Sequence, residues 1–300
     1  KNKKKRGRGC LWSFLILLLV GACLVIFAYF RLKSTTDMIH DDVTKDTIVH
    51  TSREKEKIQL NRDTPFSILL LGIDTGDKGR VDRGRSDTIM VMTINPKTNQ
   101  TTLLSIPRDT YTEIVGKGFQ DKINHAYSFG GAAMAMNSVQ NFLDIPIDYY
   151  VSVNMKGIQQ IVDAVGGITL TPSRSFKQDG FSFVEGQPTA MDGEMALAYS
   201  RMRKLDNDYG RQGRQREVVS ETLNKITSLN SVLNYQPVLK TMEDNVLTNL
   251  TFDELTNIFL NYRGALTNME QIQDQGSGQR MNGIYYEIIP QEQVNEISAN

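Results

Sequence analysis

The region that follows position 63 lacks most of the residues that enzymes use as nucleophiles or metal ligands. Both cysteines of the chain, Cys10 and Cys23, lie near its start, and His125 is the only histidine after position 63. Disulfides, cysteine catalysis and histidine-rich zinc sites are therefore excluded from this region. A Ser-His-Asp triad would depend on His125, and no serine stands in a nucleophile-elbow sequence. A Walker A loop and a dinucleotide-binding fingerprint are also absent, so nucleotide cofactors are not expected.

The chain also lacks a strong basic excess. Lys plus Arg and Asp plus Glu number 34 each, and six of the basic residues lie within the first eight positions, so the remainder is mildly acidic. Broad nucleic-acid binding requires a basic face that displaces counterions from phosphates. No nucleic-acid partner is therefore expected, and any site for an anion must be local.

The start of the chain has the pattern of a cytoplasmic tail and a membrane anchor. Positions 11–30 carry no charged side chain, and at about 1.5 Å per helical residue this run spans a hydrocarbon core of roughly 30 Å. The positive-inside bias keeps the basic tail at 1–10 in the cytoplasm. A cleaved signal peptide would have a shorter apolar stretch that ends in small residues. The sequence thus predicts a single-pass protein of the cell membrane whose C-terminal part is extracytoplasmic.

Apolar runs and turn residues predict a sheet after position 63. Residues 31–63 are polar and charged and are predicted to form an extracytoplasmic stalk, followed by one domain at 64–300. Short apolar runs predict buried strands at 66–72, 88–94, 101–106 and 168–170. Turn residues at 95–99 join the second and third of these runs into a hairpin.

Helical periodicity fills the intervals between the predicted strands. Helices are predicted at 130–142, at 155–165, after the caps Asp192 and Thr251, and from near Gly213 towards Leu229. A last strand is predicted at 284–290. The alternation predicts an α/β fold in which a mixed central β-sheet has helices on both faces, an α/β/α arrangement preceded by one N-terminal transmembrane helix.

Charged residues concentrate where the predicted strands end. Asp74 follows the first strand directly, Asp87 precedes the second, and Arg108 follows the third. In open α/β sheets, ligands bind at the carboxyl ends of the strands, and two carboxylates with phosphate oxygens form a natural shell for magnesium. The alternative interpretation is that Asp74 and Asp87 are turn residues paired with neighbouring arginines.

Arginines are concentrated in two short windows. The windows contain Arg80, Arg83 and Arg85, and then Arg201, Arg203, Arg211, Arg214 and Arg216. A guanidinium group stays charged at any working pH and binds phosphate in a bidentate manner, which suits a clamp for a diphosphate. For Arg214 and Arg216 alone, a solvated helix face is the alternative.

Six stretches of the sequence stand out in their order and spacing. They are LGID at 71–74, RGRSD at 83–87, SIPRD at 105–109, DKINHAY at 121–127, AYSRMR at 198–203 and GRQGRQ at 210–215. Together they resemble the LytR-CpsA-Psr family of cell-wall polymer ligases, in particular its LytR-type members. The resemblance covers residues 65–286. The segment at 205–209 is shorter than in many relatives, which leaves the alignment of Asp206 and Asp208 open.

The resemblance implies a phosphotransferase that moves a glycopolymer, such as teichoic acid or capsule, from a polyprenyl-pyrophosphate carrier to a hydroxyl of peptidoglycan. Its partners would be the carrier glycolipid, membrane lipid and the peptidoglycan acceptor of a Gram-positive-type envelope. Two other functions stay open. One is a receptor that binds a lipid-linked pyrophosphate or a polyanion without turnover, and the other is a polyprenyl-pyrophosphate hydrolase.

The resemblance also implies roles for individual residues. Asp74 and Asp87 are the implied ligands of Mg²⁺, or alternatively of Mn²⁺. The implied catalytic residues are Asp74, Asp87, Arg108, Arg203 and Arg211, and the implied substrate-binding residues are Arg83, Arg85, Arg108, Arg201, Arg203, Arg211, Arg214 and Gln215. The base that takes the acceptor proton is either Asp74 or absent, since an arginine does not lose its proton under these conditions.

Overall fold

The computed structural model describes residues 63–75, 84–228 and 245–299, together with the isolated positions 33, 34, 36, 40, 41 and 60. The predicted tail at 1–10 and the predicted anchor at 11–30 lie outside the described residues, as does most of the predicted stalk. Within the described ranges, no helix has both the length and the apolar character needed to cross a bilayer.

A six-stranded mixed sheet lies at the centre of the domain. In chain order the strands are β1 (Phe66–Ile73), β2 (Ser86–Asn95), β3 (Gln100–Ile106), β4 (Tyr111–Ile114), β5 (Phe119–Lys122), β6 (Tyr149–Asn154), β7 (Ile168–Leu170), β8 (Phe176–Gln178), β9 (Phe181–Phe183), β10 (Thr189–Met191), β11 (Val246–Thr248), β12 (Met269–Gln273), β13 (Ser277–Met281) and β14 (Ile284–Ile288). The central sheet has the order β11-β6-β1-β2-β3-β12, and the other strands pair as β4 with β5, β7 with β10, β8 with β9 and β13 with β14.

Strand directions in the central sheet are both parallel and antiparallel. β1 is antiparallel to β2 and parallel to β6, whereas β3 is antiparallel to β2 and parallel to β12. The predicted mixed sheet is therefore confirmed. The predicted hairpin is confirmed as well, because Asn95 at the end of β2 pairs with Gln100 at the start of β3.

Helices cover both faces of this sheet. They are α1 (His125–Leu143), α2 (Met155–Ala164), α3 (Gly193–Arg201), α4 (Asp208–Ser228), α5 (Phe252–Asn261), α6 (Arg263–Leu266) and α7 (Gln291–Ala299). α1 and α7 cover one face, where Leu69 packs in one cluster with Met136 and Val294. α4, α5 and α6 cover the other face, where Ile68 packs in one cluster with Leu266. Because side chains alternate across a strand, a continuous apolar run buries both faces, at about 1.5–3 kcal/mol per buried side chain.

Some elements begin or end elsewhere than the sequence predicts. α1 begins at His125 rather than at position 130, and the backbone is not helical at Gly130 and Gly131. α4 begins at Asp208 rather than near Gly213, since an acidic residue in the first turn interacts favourably with the helix dipole. β14 lies outside the central sheet, because β12 occupies the edge beside β3.

Parts of the predicted stalk contact the domain. His40 forms a parallel bridge with Thr248 of β11, and the Tyr150 hydroxyl donates to the Asp41 carboxylate at 2.9 Å. Leu60 is buried in the same apolar cluster as Ile68. The packed domain therefore includes chain that precedes position 64.

The side chain of Asp274, directly after β12, is fully buried. Its backbone N–H donates to the Ser105 carbonyl at 3.3 Å, and neither carboxylate oxygen has a hydrogen-bond partner among the described residues. Burial disfavours the charged form and raises the pKa of Asp274 to about 7. The folded protein therefore holds the proton of this group more tightly than the unfolded chain does.

The raised pKa of Asp274 predicts a pH-dependent stability. The unfolded chain loses the proton near pH 4 and the folded protein near pH 7, so the free energy of unfolding falls between these values by on the order of 4 kcal/mol. We expect Asp274→Asn to remove this decline and to be more stable than the wild type above pH 7. Urea unfolding at a series of pH values measures the effect, with the exposed Asp179→Asn as the control. An unchanged pH profile in Asp274→Asn would contradict the prediction.

Candidate active site

The predicted charged residues meet at one edge of the central sheet. β1 and β3 end at this edge and β2 starts there, because β2 is antiparallel to both of them. Asp74 follows β1, Asp87 is the second residue of β2, and Arg108 lies just beyond β3. The carboxyl ends of β6 and β12 lie at the same edge, since they are parallel to β1 and β3. The strand ends thus form one polar site.

A β-bulge sets the position of Asp87. Gly72 pairs with Thr88 and Ile73 pairs with Ser86, so Asp87 is the extra residue between the two pairs. Bulges re-aim side chains and are frequent next to active sites. The Asp87 carboxylate accepts from Nη1 of Arg108 at 3.0 Å, and its other oxygen lies 3.6 Å from Nη2 of Arg203. The sequence predicted that the strand starts at position 88, directly after Asp87. This prediction is wrong, because β2 starts two residues earlier, at Ser86, and Asp87 is its second residue.

Asp74 is fixed by the backbone next to it. Its Oδ1 accepts from the N–H of Arg85 at 2.7 Å, and its own N–H donates to the Arg85 carbonyl at 3.1 Å. Gly84 makes this contact possible, because its φ is +67° and a Cβ there would lie 2.6 Å from Asp74 Oδ1. The Asp74 carboxylate therefore has a defined position beside β2.

Arg108, Arg203 and Arg211, which we call the arginine cluster, lie near one another. Arg211, on the first turn of α4, is 2% exposed and pairs with Asp208 at 2.6 Å. Burial, together with the positive charges of Arg203 and Arg108, lowers the pKa of Arg211 to about 10. Its Nε has no hydrogen-bond partner among the described residues. The group is still a cation at neutral pH, and one of its buried donors is left without an acceptor.

Acidic neighbours hold Arg108 in its charged form. Burial alone would lower the pKa of Arg108, but Asp87, Asp109 and Asp208 raise it above its ordinary value. Asp109 lies 3.6 Å from Nε of Arg108 and 2.7 Å from Nζ of Lys122. Sequence reasoning did not assign Lys122, Asp109 or Asp208 to the site. Lys122 and Asp109 lie within the stretches that resemble the family. Their position in these stretches could have indicated that they belong to the site.

The remaining predicted residues are placed less centrally. Arg85 and Arg201 are exposed, Arg201 at the end of α3. Gln215 is half-buried one turn after Arg211, and its Oε1 has no partner within the described part of the chain. Arg83 lies outside the described residues. Their roles toward a substrate stay predictions.

Arg214 is committed to the protein itself. Its Nη1 and Nη2 each donate to the Asp206 carboxylate at 2.8 Å, and Nη2 also donates to the Met202 carbonyl at 2.6 Å. The hydrogen bonds from Arg214 lower the pKa of Asp206. The alternative of a solvated helix face is wrong for Arg214 and Arg216, which are 4% and 7% exposed. This geometry favours a structural role for Arg214 over direct contact with a substrate.

The carboxylates of the site suit a metal ion only in part. No group of at least three His, Cys, Asp or Glu side chains that could hold a metal ion occurs in the described ranges. Asp74 and Asp87 supply two carboxylates at adjoining strand ends. Mg²⁺ is commonly bound by one or two carboxylates and completed by substrate phosphates. The donor set therefore fits an ion that shares its coordination with a phosphate-bearing substrate.

Comparisons with known proteins identify the family. A model described as the LytR_cpsA_psr family matches residues 26–300. The polyisoprenyl-teichoic acid–peptidoglycan teichoic acid transferase TagU of Enterococcus faecalis is 49% identical over 258 residues, which are 85% of this chain and 84% of that protein. The crystal structure of B. subtilis TagU has 41% identity and a TM-score of 0.63 over 79% of this chain and 95% of that chain.

A structure of TagT bound to LIIa-WTA is also similar, with 32% identity and a TM-score of 0.72 over 86% of this chain and 97% of that chain. The similarity therefore holds for both sequence and fold, and it extends over most of each protein. Such agreement makes this chain a member of the LytR-CpsA-Psr family, as its sequence stretches predict.

Proposed function

We propose that this protein is a transferase that moves teichoic acid, or a similar glycopolymer, from a polyprenyl-pyrophosphate carrier to a hydroxyl group of peptidoglycan. The observation that carries the proposal is the arginine cluster, in which the buried guanidinium of Arg211 lies near Arg203 and Arg108. Cations gathered in this way are stabilised by an anion that accepts from several guanidinium groups, and a pyrophosphate is such an anion. The activity named for the E. faecalis relative supports the same reaction.

In this reaction, the acceptor oxygen forms a bond to the phosphorus that carries the polymer, and the bond from that phosphorus to the bridging oxygen breaks. The lipid phosphate leaves with the bonding electrons, so negative charge grows on the bridging and equatorial oxygens. Arg108, Arg203 and Arg211 stabilise this charge because ion pairs fix them before the reaction starts. The pyrophosphate link supplies the driving force, so no nucleotide is needed.

Asp74 and Asp87 are the proposed ligands of Mg²⁺, with Mn²⁺ as a substitute. When bound, the ion would neutralise charge on the phosphate oxygens. Asp87 also orients Arg108 through the 3.0 Å ion pair. The proton of the acceptor hydroxyl passes to Asp74 or to water.

The predicted anchor at 11–30 would hold the site outside the cytoplasm, close to the membrane. A lipid-linked donor and a cell-wall acceptor both lie on that side of the membrane. We therefore propose a single-pass protein of the cell membrane in a Gram-positive-type envelope.

The test is turnover of a short polyprenyl-pyrophosphate glycan by the full chain in detergent, with and without peptidoglycan oligomers and Mg²⁺. Transfer of the glycan to the oligomers, with release of lipid phosphate, is the expected result. Lipid phosphate released without transfer to the oligomers would indicate a hydrolase instead. Tight binding with no lipid phosphate released under any condition would indicate a receptor.

Gly84→Ala is expected to lower transfer by about tenfold or more, which corresponds to at least ~1.4 kcal/mol of lost transition-state stabilisation. The new methyl group would have to displace the Asp74 carboxylate. Gly118→Ala is a matched control, because Gly118 has a similar φ of +72° but nothing within 4 Å of an added Cβ. Initial rates of lipid phosphate release measure the effect. Equal losses in the two variants would assign the effect to backbone strain rather than to Asp74.

A further inference from the structure

A cleft of ≈ 190 Å³, which we call the side cleft, lies beside the arginine cluster. Its lining includes Asp109, Asp208, Tyr209, Gln212, Tyr285 and Glu287. Two of these residues contact the cluster directly, since Asp208 pairs with Arg211 at 2.6 Å and Asp109 lies 3.6 Å from Arg108. A group bound in the side cleft would therefore sit next to a phosphate held by the arginines.

A hydrogen-bond network fixes the inner wall of the side cleft. Glu287 is 5% exposed, and its two carboxylate oxygens accept from the hydroxyls of Tyr209 and Tyr285, the latter at 2.6 Å. The Gly276 N–H donates to the Tyr209 hydroxyl at 2.8 Å, and the Glu287 N–H donates to the Asp109 carbonyl at 2.9 Å. The two tyrosine rings are thus held in place without a ligand.

The ring of Tyr285 forms a platform at the mouth of the side cleft. The residue is 41% exposed, and a Cβ on Gly278 would lie 2.6 Å from its Cε2. One side of the ring therefore rests on the backbone of Gly278. An exposed aromatic ring that is fixed in this way offers an apolar surface at low entropic cost.

The polar lining of the side cleft consists mainly of hydrogen-bond acceptors. Asp109, Asp208 and Glu287 are carboxylates, which repel a phosphate and accept hydrogen bonds from hydroxyl or amide groups. Gln212 is 4% exposed and donates to Asp208 at 3.1 Å, while its buried Oε1 has no partner in the described part of the chain. A buried acceptor without a partner is costly, and a ligand that donates to it would remove that cost.

We propose that the side cleft binds one uncharged sugar ring, with its hydroxyl and amide groups donating to the carboxylates and its apolar face on Tyr285. The volume lies below the ~300–1,000 Å³ of sites for drug-sized ligands, which favours a single ring. The ring belongs either to the peptidoglycan acceptor or to the polymer on the donor. The statement that the ring comes from the acceptor or from the donor rests on the proposed transferase function. The statement that the side cleft binds a sugar does not.

Binding of a chitin tetrasaccharide to the full chain in detergent, measured by titration calorimetry, tests the proposal without any turnover. Saturable binding by the wild type and an affinity lower by about tenfold or more in Tyr285→Ala are expected. Tyr285→Phe retains the ring and should retain most of the affinity. Ile284→Ala is the control, because Ile284 precedes Tyr285 in β14, is 50% exposed and does not line the side cleft. Equal affinities of the wild type and Tyr285→Ala, or no binding by either, would overturn the proposal.

Steady-state kinetics then separate the two sources of the sugar. A raised KM for peptidoglycan oligomers in Tyr285→Ala, with an unchanged KM for the lipid-linked donor, would place the acceptor in the side cleft. The reverse pattern would place the donor sugar there. A loss of kcat with both KM values unchanged would overturn the assignment of a sugar site.

Discussion

Asp87→Asn is expected to lower transfer by about 10²- to 10³-fold while the protein stays folded. The substitution keeps the volume of the side chain but removes the charge that pairs with Arg108 at 3.0 Å and lies 3.6 Å from Arg203. Both arginines would then lose their common orienting group, and the site would lose one of its two proposed metal ligands. Arg108 would still have Asp109 at 3.6 Å, so it would not become an unpaired buried cation.

Rates of lipid phosphate release and a thermal unfolding curve, measured on the same preparation, check this expectation. Asp179→Asn is the matched control, since it makes the same chemical change at an exposed turn between β8 and β9. An Asp87→Asn variant that turns over at the wild-type rate would remove Asp87 from the mechanism.

Arg211→Lys is expected to lower transfer by about 10- to 10²-fold. The lysine would keep a positive charge near Asp208, which pairs with Arg211 at 2.6 Å. It would lose the planar fork that can donate to two phosphate oxygens at once, and burial would make its charged form less favourable. Because the pair with Asp208 can be kept, the free energy of unfolding should change little.

Arg214→Lys is the contrasting substitution, one turn further along α4. Arg214 makes three hydrogen bonds to Asp206 and Met202, and a lysine cannot reproduce this set. The free energy of unfolding should fall by about 2–4 kcal/mol, with little change in the rate per folded molecule. Urea unfolding and initial rates for both variants provide the comparison. Equal effects of the two substitutions on rate would contradict the distinct roles that we assign.

The middle of the central sheet could be predicted because β1, β2 and β3 contain short apolar runs. The outer strands β6, β11 and β12 were not predicted, and β12, with the sequence MEQIQ, carries no apolar run. A strand such as β1, with Leu69 on one face and Ile68 on the other, needs cover on both faces. The same runs locate their own ends, so the placement of Asp74 and Arg108 at the edge of the sheet followed from the sequence. A charged residue next to an apolar run can be recognised in the sequence alone, and it lies at the end of the strand in the folded protein.

Other features of the site depend on contacts that no local pattern contains. The bulge at Asp87 is defined by the partner strand, since Gly72 and Ile73 pair on either side of it. Glu287 reaches the side cleft because β14 lies outside the central sheet, where Glu287 itself forms a bridge with Thr110. The burial of Arg214 depends on Asp206, whose alignment the sequence left open. Each of these features depends on contacts between residues that are distant in the sequence, and the periodicity of apolar residues does not predict such contacts.

Within the protein itself, ion pairs hold Arg203 next to Asp87 and Arg211 next to Asp208. The distance between the two guanidinium groups is therefore set by the fold and not by the molecule that is bound. Two guanidinium groups at a fixed distance can bind the diphosphate of the proposed carrier without contacting the polymer that the carrier transports. The proposed site would therefore accept carriers that transport different polymers, and any preference for one polymer must be encoded in surfaces further from the diphosphate.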